Sequence, residues 1–114
     1  MCIRDSFYPP AGDAGDPGPT TVQRMTAYER HAPGLAVAAA RRALSDGGVS
    51  ADEITHLITV SCTGFIAPGV DSAIVEELGL GRATQRTHVG FMGCYGALSA
   101  LRVADSIALS LIHI

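Results

Sequence analysis

Lysine is missing from this chain. All eight basic residues are arginines, set against eleven acidic ones, for a formal net charge of −3 over 114 residues. The arginines form no cluster, which argues against nucleic acid or an anionic membrane as a partner. No apolar run approaches the ~20 residues that span a bilayer. No signal-peptide pattern is visible, an observation that carries weight only if Met1 is the natural start. The three cysteines, Cys2, Cys62 and Cys94, show no CxxC spacing. That excludes the usual disulfide framework and zinc-site signatures, and it points to free thiols in a reducing compartment, the cytoplasm. No pair of histidines has metal-ligand spacing either, so no metal is expected.

Alanine and glycine are abundant, as a GC-rich gene would produce, and the two ends do not share that bias. Met1-Cys2-Ile3-Arg4-Asp5-Ser6 can be encoded by ATGTGTATAAGAGACAG plus one base. The reverse complement of that stretch reads Leu-Ser-Leu-Ile-His and opens an isoleucine codon, which is Leu109 to Ile114. The inverted repeat resembles a transposon end used to tag DNA libraries. Residues 1–6 and 109–114 are therefore set aside as adapter-like. The expectation is a native stretch of about residues 7 to 108, cut from a longer gene and too short for a complete two-half α/β enzyme.

Residues 7–19, with Phe7-Tyr8-Pro9-Pro10 and a Gly/Asp/Pro-rich run, read as an entry loop. Thr20 and Gln23 have capping-box spacing. Met25, Tyr28, Ala32, Leu35, Ala36, Ala39, Ala43 and Leu44 then recur at helical intervals, predicting a helix to about Asp46 that Pro33 kinks or restarts and Gly47-Gly48 ends. Ile54 to Ser61 is short, apolar and β-branched, a buried and parallel strand because helices flank it. Cys62 to Gly69 is the loop leaving its C-terminal end. Asp71 to Leu78 reads as a short helix closed by Gly79, and Arg86 to Val89 as a second strand. After Gly90-Phe91-Met92-Gly93-Cys94-Tyr95-Gly96 comes a helix so apolar that it belongs between layers. The alternating order predicts an α/β layered fold, αβαβα over the span available.

Cys94 falls where a strand and a glycine-rich turn meet the first turn of that helix. Unpaired N–H groups and the positive dipole end favour a thiolate there, and Gly93 and Gly96 allow an acyl group close approach. A small hydrophobe filling a core gap fits the same position, and the turn alone leaves both readings open. His31, His56 and His88 offer themselves as its base. His31 is far away in the first helix, His56 reads as a packed or hydrogen-bonded strand residue, and His88 lies on the preceding strand facing a neighbour. Arg24, Arg41, Arg42 and Arg82 are too scattered to form a phosphate site.

Three segments carry a family resemblance. They are Ile54-Thr-His-Leu-Ile followed by Cys62-Thr-Gly-Phe-Ile-Ala-Pro-Gly-Val-Asp71, then Leu78-Gly-Leu-Gly with Gln85-Arg-Thr-His, then Gly90-Phe-Met-Gly-Cys94-Tyr-Gly-Ala-Leu. In that order and spacing, residues 20–108 resemble the N-terminal part of a type III polyketide synthase, chalcone- and stilbene-synthase-like. The resemblance implies a partial thiolase-like fold. It also implies an acyltransferase that loads a starter acyl-CoA on Cys94 and extends it by decarboxylative condensation with malonyl-CoA. No cofactor would be bound, and coenzyme-A thioesters would be the substrates. Cys62 and Thr63 would line the acyl cavity, and the Phe65 to Val70 loop would reach a homodimer interface. The family's activating histidine and oxyanion-binding asparagine belong to its C-terminal half. A ketoacyl-ACP synthase III-like enzyme shares the fold and the cysteine, and a truncated non-catalytic chain is the alternative from outside enzymology. A chain cut before its second half exposes faces meant to be covered. Expressed alone, it is therefore expected to be poorly soluble and to condense no malonyl-CoA. Size-exclusion chromatography and a product assay check this, and a monodisperse, active preparation contradicts it.

Overall fold

The computed structural model describes residue 12 and residues 14–112. The first hexapeptide and Phe7 to Pro10 lie outside the described residues. Gly12 and residues 14–20 form no helix or strand, in keeping with the expected loop. There the Asp16 carboxylate accepts from the N–H groups of Gly12 and Gly18 at 2.9 and 2.8 Å. Those backbone donors hold its pKa below the ordinary aspartate value.

The first helix, α1, spans Thr21–Gly47. Thr20 caps it with the expected box: its Oγ1 accepts from the Gln23 N–H at 3.3 Å, and the Thr20 N–H donates to Gln23 Oε1 at 2.8 Å. Gly48 closes it at φ 61°, in the left-handed region that glycine enters without a Cβ penalty. Of the two effects expected of Pro33, a kink or a restart, the restart does not occur; α1 continues through it. The lost backbone donor is offset by tertiary contacts on both sides of the proline. Before it, the Tyr28 ring lies against Gly64. After it, Val37 packs in the core cluster with Ile74 and Leu80.

A single 3₁₀ turn, Ala51–Glu53, leads into β1, His56–Ser61. α2 spans Val70–Leu78, ends at Gly79 with φ 65°, and is followed by β2, Gln85–Gly90. The two strands pair in parallel, as expected, with His56 opposite Gln85 and Ser61 opposite Gly90. The register sorts the faces. Leu57 points toward a core cluster built from Val37 of α1, Ile74 of α2 and Leu80. Val60 and Val89, opposite one another, point the other way, toward Gly96 at the start of α3, Gly96–Ile112. Helices thus cover both faces of a two-stranded sheet, the layered α/β order read from the sequence. α3 runs on through Ile112, into the segment set aside above.

α3 is not interior, and this corrects the burial expected of so apolar a helix. Ala100 is buried on its sheet side, but Leu98 and Leu101 are 62% and 65% exposed. The reason is geometric: only one side of α3 meets the sheet, and no described element packs on its other side. The radius of gyration, 16.8 Å, exceeds the ~13 Å of a compact domain this size. The core is accordingly concentrated around Ile74. Ile74→Ala should cost about 2–3 kcal/mol, whereas Leu101→Ala should stay within about 0.5 kcal/mol. Pulse proteolysis at concentrations too low for aggregation reads both.

Candidate active site

Parallel strands in register end side by side, so the chain leaves β1 after Ser61 and β2 after Gly90 at one edge of the sheet. Ligand sites of α/β folds gather at that C-terminal edge. Cys62 is the first residue beyond β1, and Cys94 lies in the turn between β2 and α3. Their sulfurs stand 3.3 Å apart, in hydrogen-bonding contact, although 32 positions separate them in sequence. Cys94 is exposed and Cys62 half-buried.

The turn that presents Cys94 is tightly wound. Phe91 sits at φ 56° and Gly93 at φ 76°. For glycine this is free; for phenylalanine the left-handed region costs on the order of 1–2 kcal/mol, a local strain typical of functional turns. The Gly96 N–H donates to the Gly93 carbonyl at 3.1 Å, closing the turn onto the helix. Gly96 allows a close approach, since a Cβ there would meet Val60 Cγ1 at 3.2 Å and that side chain would have to give by a few tenths of an ångström. Cys94 lies two residues ahead of the first helical residue, not within the first turn itself.

The loop after β1 is held from below. The Ser61 hydroxyl donates to the Gly64 carbonyl at 2.7 Å. A side chain at Gly64 would collide with the Tyr28 ring of α1. Phe65, 59% exposed, lies beside Phe91 with ring centroids 6.2 Å apart and the planes tilted by 32°. At the loop's far end Asp71 takes an ion pair from Arg86 at 3.2 Å, which ties α2 to β2. Thr63 is exposed within the same loop. A cleft of about 240 Å³ runs between Tyr28, Gly64, Phe65, Val70, His88 and Phe91. It is smaller than the ~300 Å³ at which drug-sized pockets begin.

His88 and His56 each have a threonine hydroxyl as partner. His88 Nδ1 and Thr59 Oγ1 are 2.9 Å apart, a bond between directly opposed strand residues. His56 Nδ1 lies 3.0 Å from Thr55 Oγ1. Among the described residues, no group of three histidine, cysteine or acidic side chains could hold a metal ion. Nor is any helix long and apolar enough to cross a membrane. Of the arginines weighed for a phosphate site, Arg24 donates to the Pro19 carbonyl and Arg42 pairs with Asp46 on the exposed face of α1. Neither reaches the cysteine pair. The sequence reading missed the contact between the two sulfurs. The signal was present in part, because each cysteine follows a strand, but only the pairing register brings the two strand ends together.

Residues 9–110 match the family described as chalcone and stilbene synthases, N-terminal domain. The chain belongs to that family, the type III polyketide synthases. It is 48% identical over 89 residues to the alpha-pyrone synthesis polyketide synthase-like Pks18 of Mycobacterium tuberculosis, covering 77% of this chain and 23% of that protein. The crystal structure of CsyB complexed with CoA-SH superposes with a TM-score of 0.75 at 37% identity, over 83% of this chain and 25% of that one. The 1,3,6,8-tetrahydroxynaphthalene synthase of Streptomyces coelicolor gives 0.72 at 30% identity, over 78% and 26%. The chain thus spans about a quarter of these relatives' length, and its α/β layers are the N-terminal portion of their thiolase-like fold.

The hydrogen bond to Cys94, then desolvation and repulsion between the two sulfurs, raise the Cys62 thiol above an ordinary cysteine. A raised pKa means less thiolate at a given pH and slower alkylation. Cys94→Ala removes the largest cause, so Cys62 should react severalfold faster with iodoacetamide at about pH 8. The midpoint of its pH–rate profile should move down. An unchanged or upward midpoint contradicts the assigned cause.

Proposed function

We propose that this chain supplies the nucleophile of a type III polyketide synthase, with Cys94 as the acyl-carrying residue. The observation that carries the reading is the display of Cys94, exposed, at the C-terminal edge of the parallel strands on a strained, glycine-flanked turn. A thiolate there is open to an incoming thioester. Its sulfur attacks the starter acyl carbon, coenzyme A leaves as the thiol, and the acyl group stays on Cys94. Decarboxylation of malonyl-CoA then provides the carbanion that takes the acyl group from the sulfur. Cys62 and Thr63, in the adjoining loop, form part of the wall beside the acyl chain. A base and oxyanion donors come from elsewhere in the parent synthase.

The coenzyme-A complex of CsyB supports coenzyme-A thioesters as the substrate class. A second copy of the chain would cover Phe65 and Phe91, which are exposed and adjacent, and this favours a homodimer. The test uses the synthase that contains this segment. Incubation with a panel of starter acyl-CoAs should leave an acyl adduct on the Cys94 peptide, read by mass spectrometry. Cys94→Ala should abolish the adduct and lower product formation by on the order of 10³-fold or more. Turnover that survives Cys94→Ala, or an acyl group found on Cys62 alone, overturns the assignment.

A further inference from the structure

We propose that Cys62 and Cys94 are a reversible oxidation site, in which a hydroperoxide converts the thiol pair to an intramolecular disulfide. The 3.3 Å between the sulfurs is van der Waals contact or closer, and a disulfide needs about 2.05 Å. Closing the remaining gap is a matter of side-chain rotation and small loop shifts, because neither cysteine belongs to a strand or helix. Cys62 follows β1 and Cys94 precedes α3, so neither ladder nor helix hydrogen bonds have to break. No third thiol competes among the described residues.

The asymmetry of the pair assigns the roles. Cys94 is the exposed sulfur and meets the oxidant; Cys62, half-buried behind it, resolves the product. The Cys94 thiolate attacks one oxygen of hydrogen peroxide, the O–O bond breaks, and hydroxide leaves. That gives the sulfenic acid. The Cys62 sulfur then attacks the Cys94 sulfur, the S–O bond breaks, and the hydroxyl departs with the Cys62 proton as water. Two cysteines are oxidised by two electrons and one peroxide is reduced. Two equivalents of a small thiol return the dithiol and leave with their own disulfide. With Cys62 adjacent, the sulfenic acid is consumed before a second peroxide can carry it to the irreversible sulfinic acid. The pairing rests on the two sulfurs alone, and only its effect on acyl loading rests on the function proposed above.

Cys2→Ser removes the third thiol and serves as the background for the test. Limiting hydrogen peroxide should yield the Cys62–Cys94 cross-linked peptide as the main product on a non-reducing map. Sulfinic acid on Cys94 should rise at least tenfold when Cys62→Ser is added. Equilibration with glutathione should give an effective thiol concentration at least tenfold higher in native buffer than in concentrated guanidinium chloride, since a denatured chain holds the pair only by random loop closure. Equal values in the two solvents overturn the proposal, as does dimedone-trapped Cys94 sulfenic acid that is unaffected by Cys62. In the parent synthase, the oxidised protein should accept no acyl group until a thiol is added. A disulfide that forms while loading persists leaves the redox pair standing and sinks the reading of Cys94 as the nucleophile.

Discussion

The in-register parallel pairing of β1 with β2 is the constraint from which the rest of this chain takes its geometry. Because Ser61 stands opposite Gly90, the loop after β1 and the turn after β2 leave the sheet at one edge. A slip of β1 by one residue would turn Val60 away from α3 and move Leu57 out of the core around Ile74. It would also separate Cys62 from Cys94. The side chains resist the slip, since Leu57 meets the core cluster on one face and Val60 meets α3 on the other. Two strands alone would be marginal in water. Here they are held because α2 and α3 pack against opposite faces and Asp71 bridges from α2 to Arg86 of β2.

Small residues make the close approaches that the chemistry needs. Gly96 lets α3 begin directly over Val60 and Val89, and Gly64 lets the loop after β1 settle on Tyr28. The two contacts position the two cysteine-bearing segments from opposite sides. The strained φ of Phe91 lies between them, so the turn is over-determined by its surroundings and not by local preference. A thiol displayed this way is held by the turn yet exposed.

Among the described residues, one face of α3 has no partner, with Leu98, Leu101 and Leu109 exposed on it. In the relatives this segment is about a quarter of the chain, and the apolar face is consistent with a role as a packing surface inside a larger layered fold. His88 and His56 are engaged through Nδ1 with the hydroxyls of Thr59 and Thr55.

Much of the local structure was legible in the residues themselves. Thr20 with Gln23, Gly48 and Gly79 mark helix ends by chemistry that acts over three or four positions, and the strand limits follow from β-branched runs bounded by turns. Cys94 stood out for the same local reason, as a thiol between glycines ahead of a helix. What the local pattern could not supply was anything carried across the sheet. Apolar character predicted burial for α3, but burial depends on a second surface, and only one is there. Pro33 predicted a kink or a restart, and the helix does not restart there, with contacts by Tyr28 and Val37 on either side of it. The meeting of Cys62 with Cys94 was decided by tertiary structure alone. Spacing along a chain sets which atoms can be neighbours within an element, while contact across 32 positions depends on which strand pairs with which and in what register.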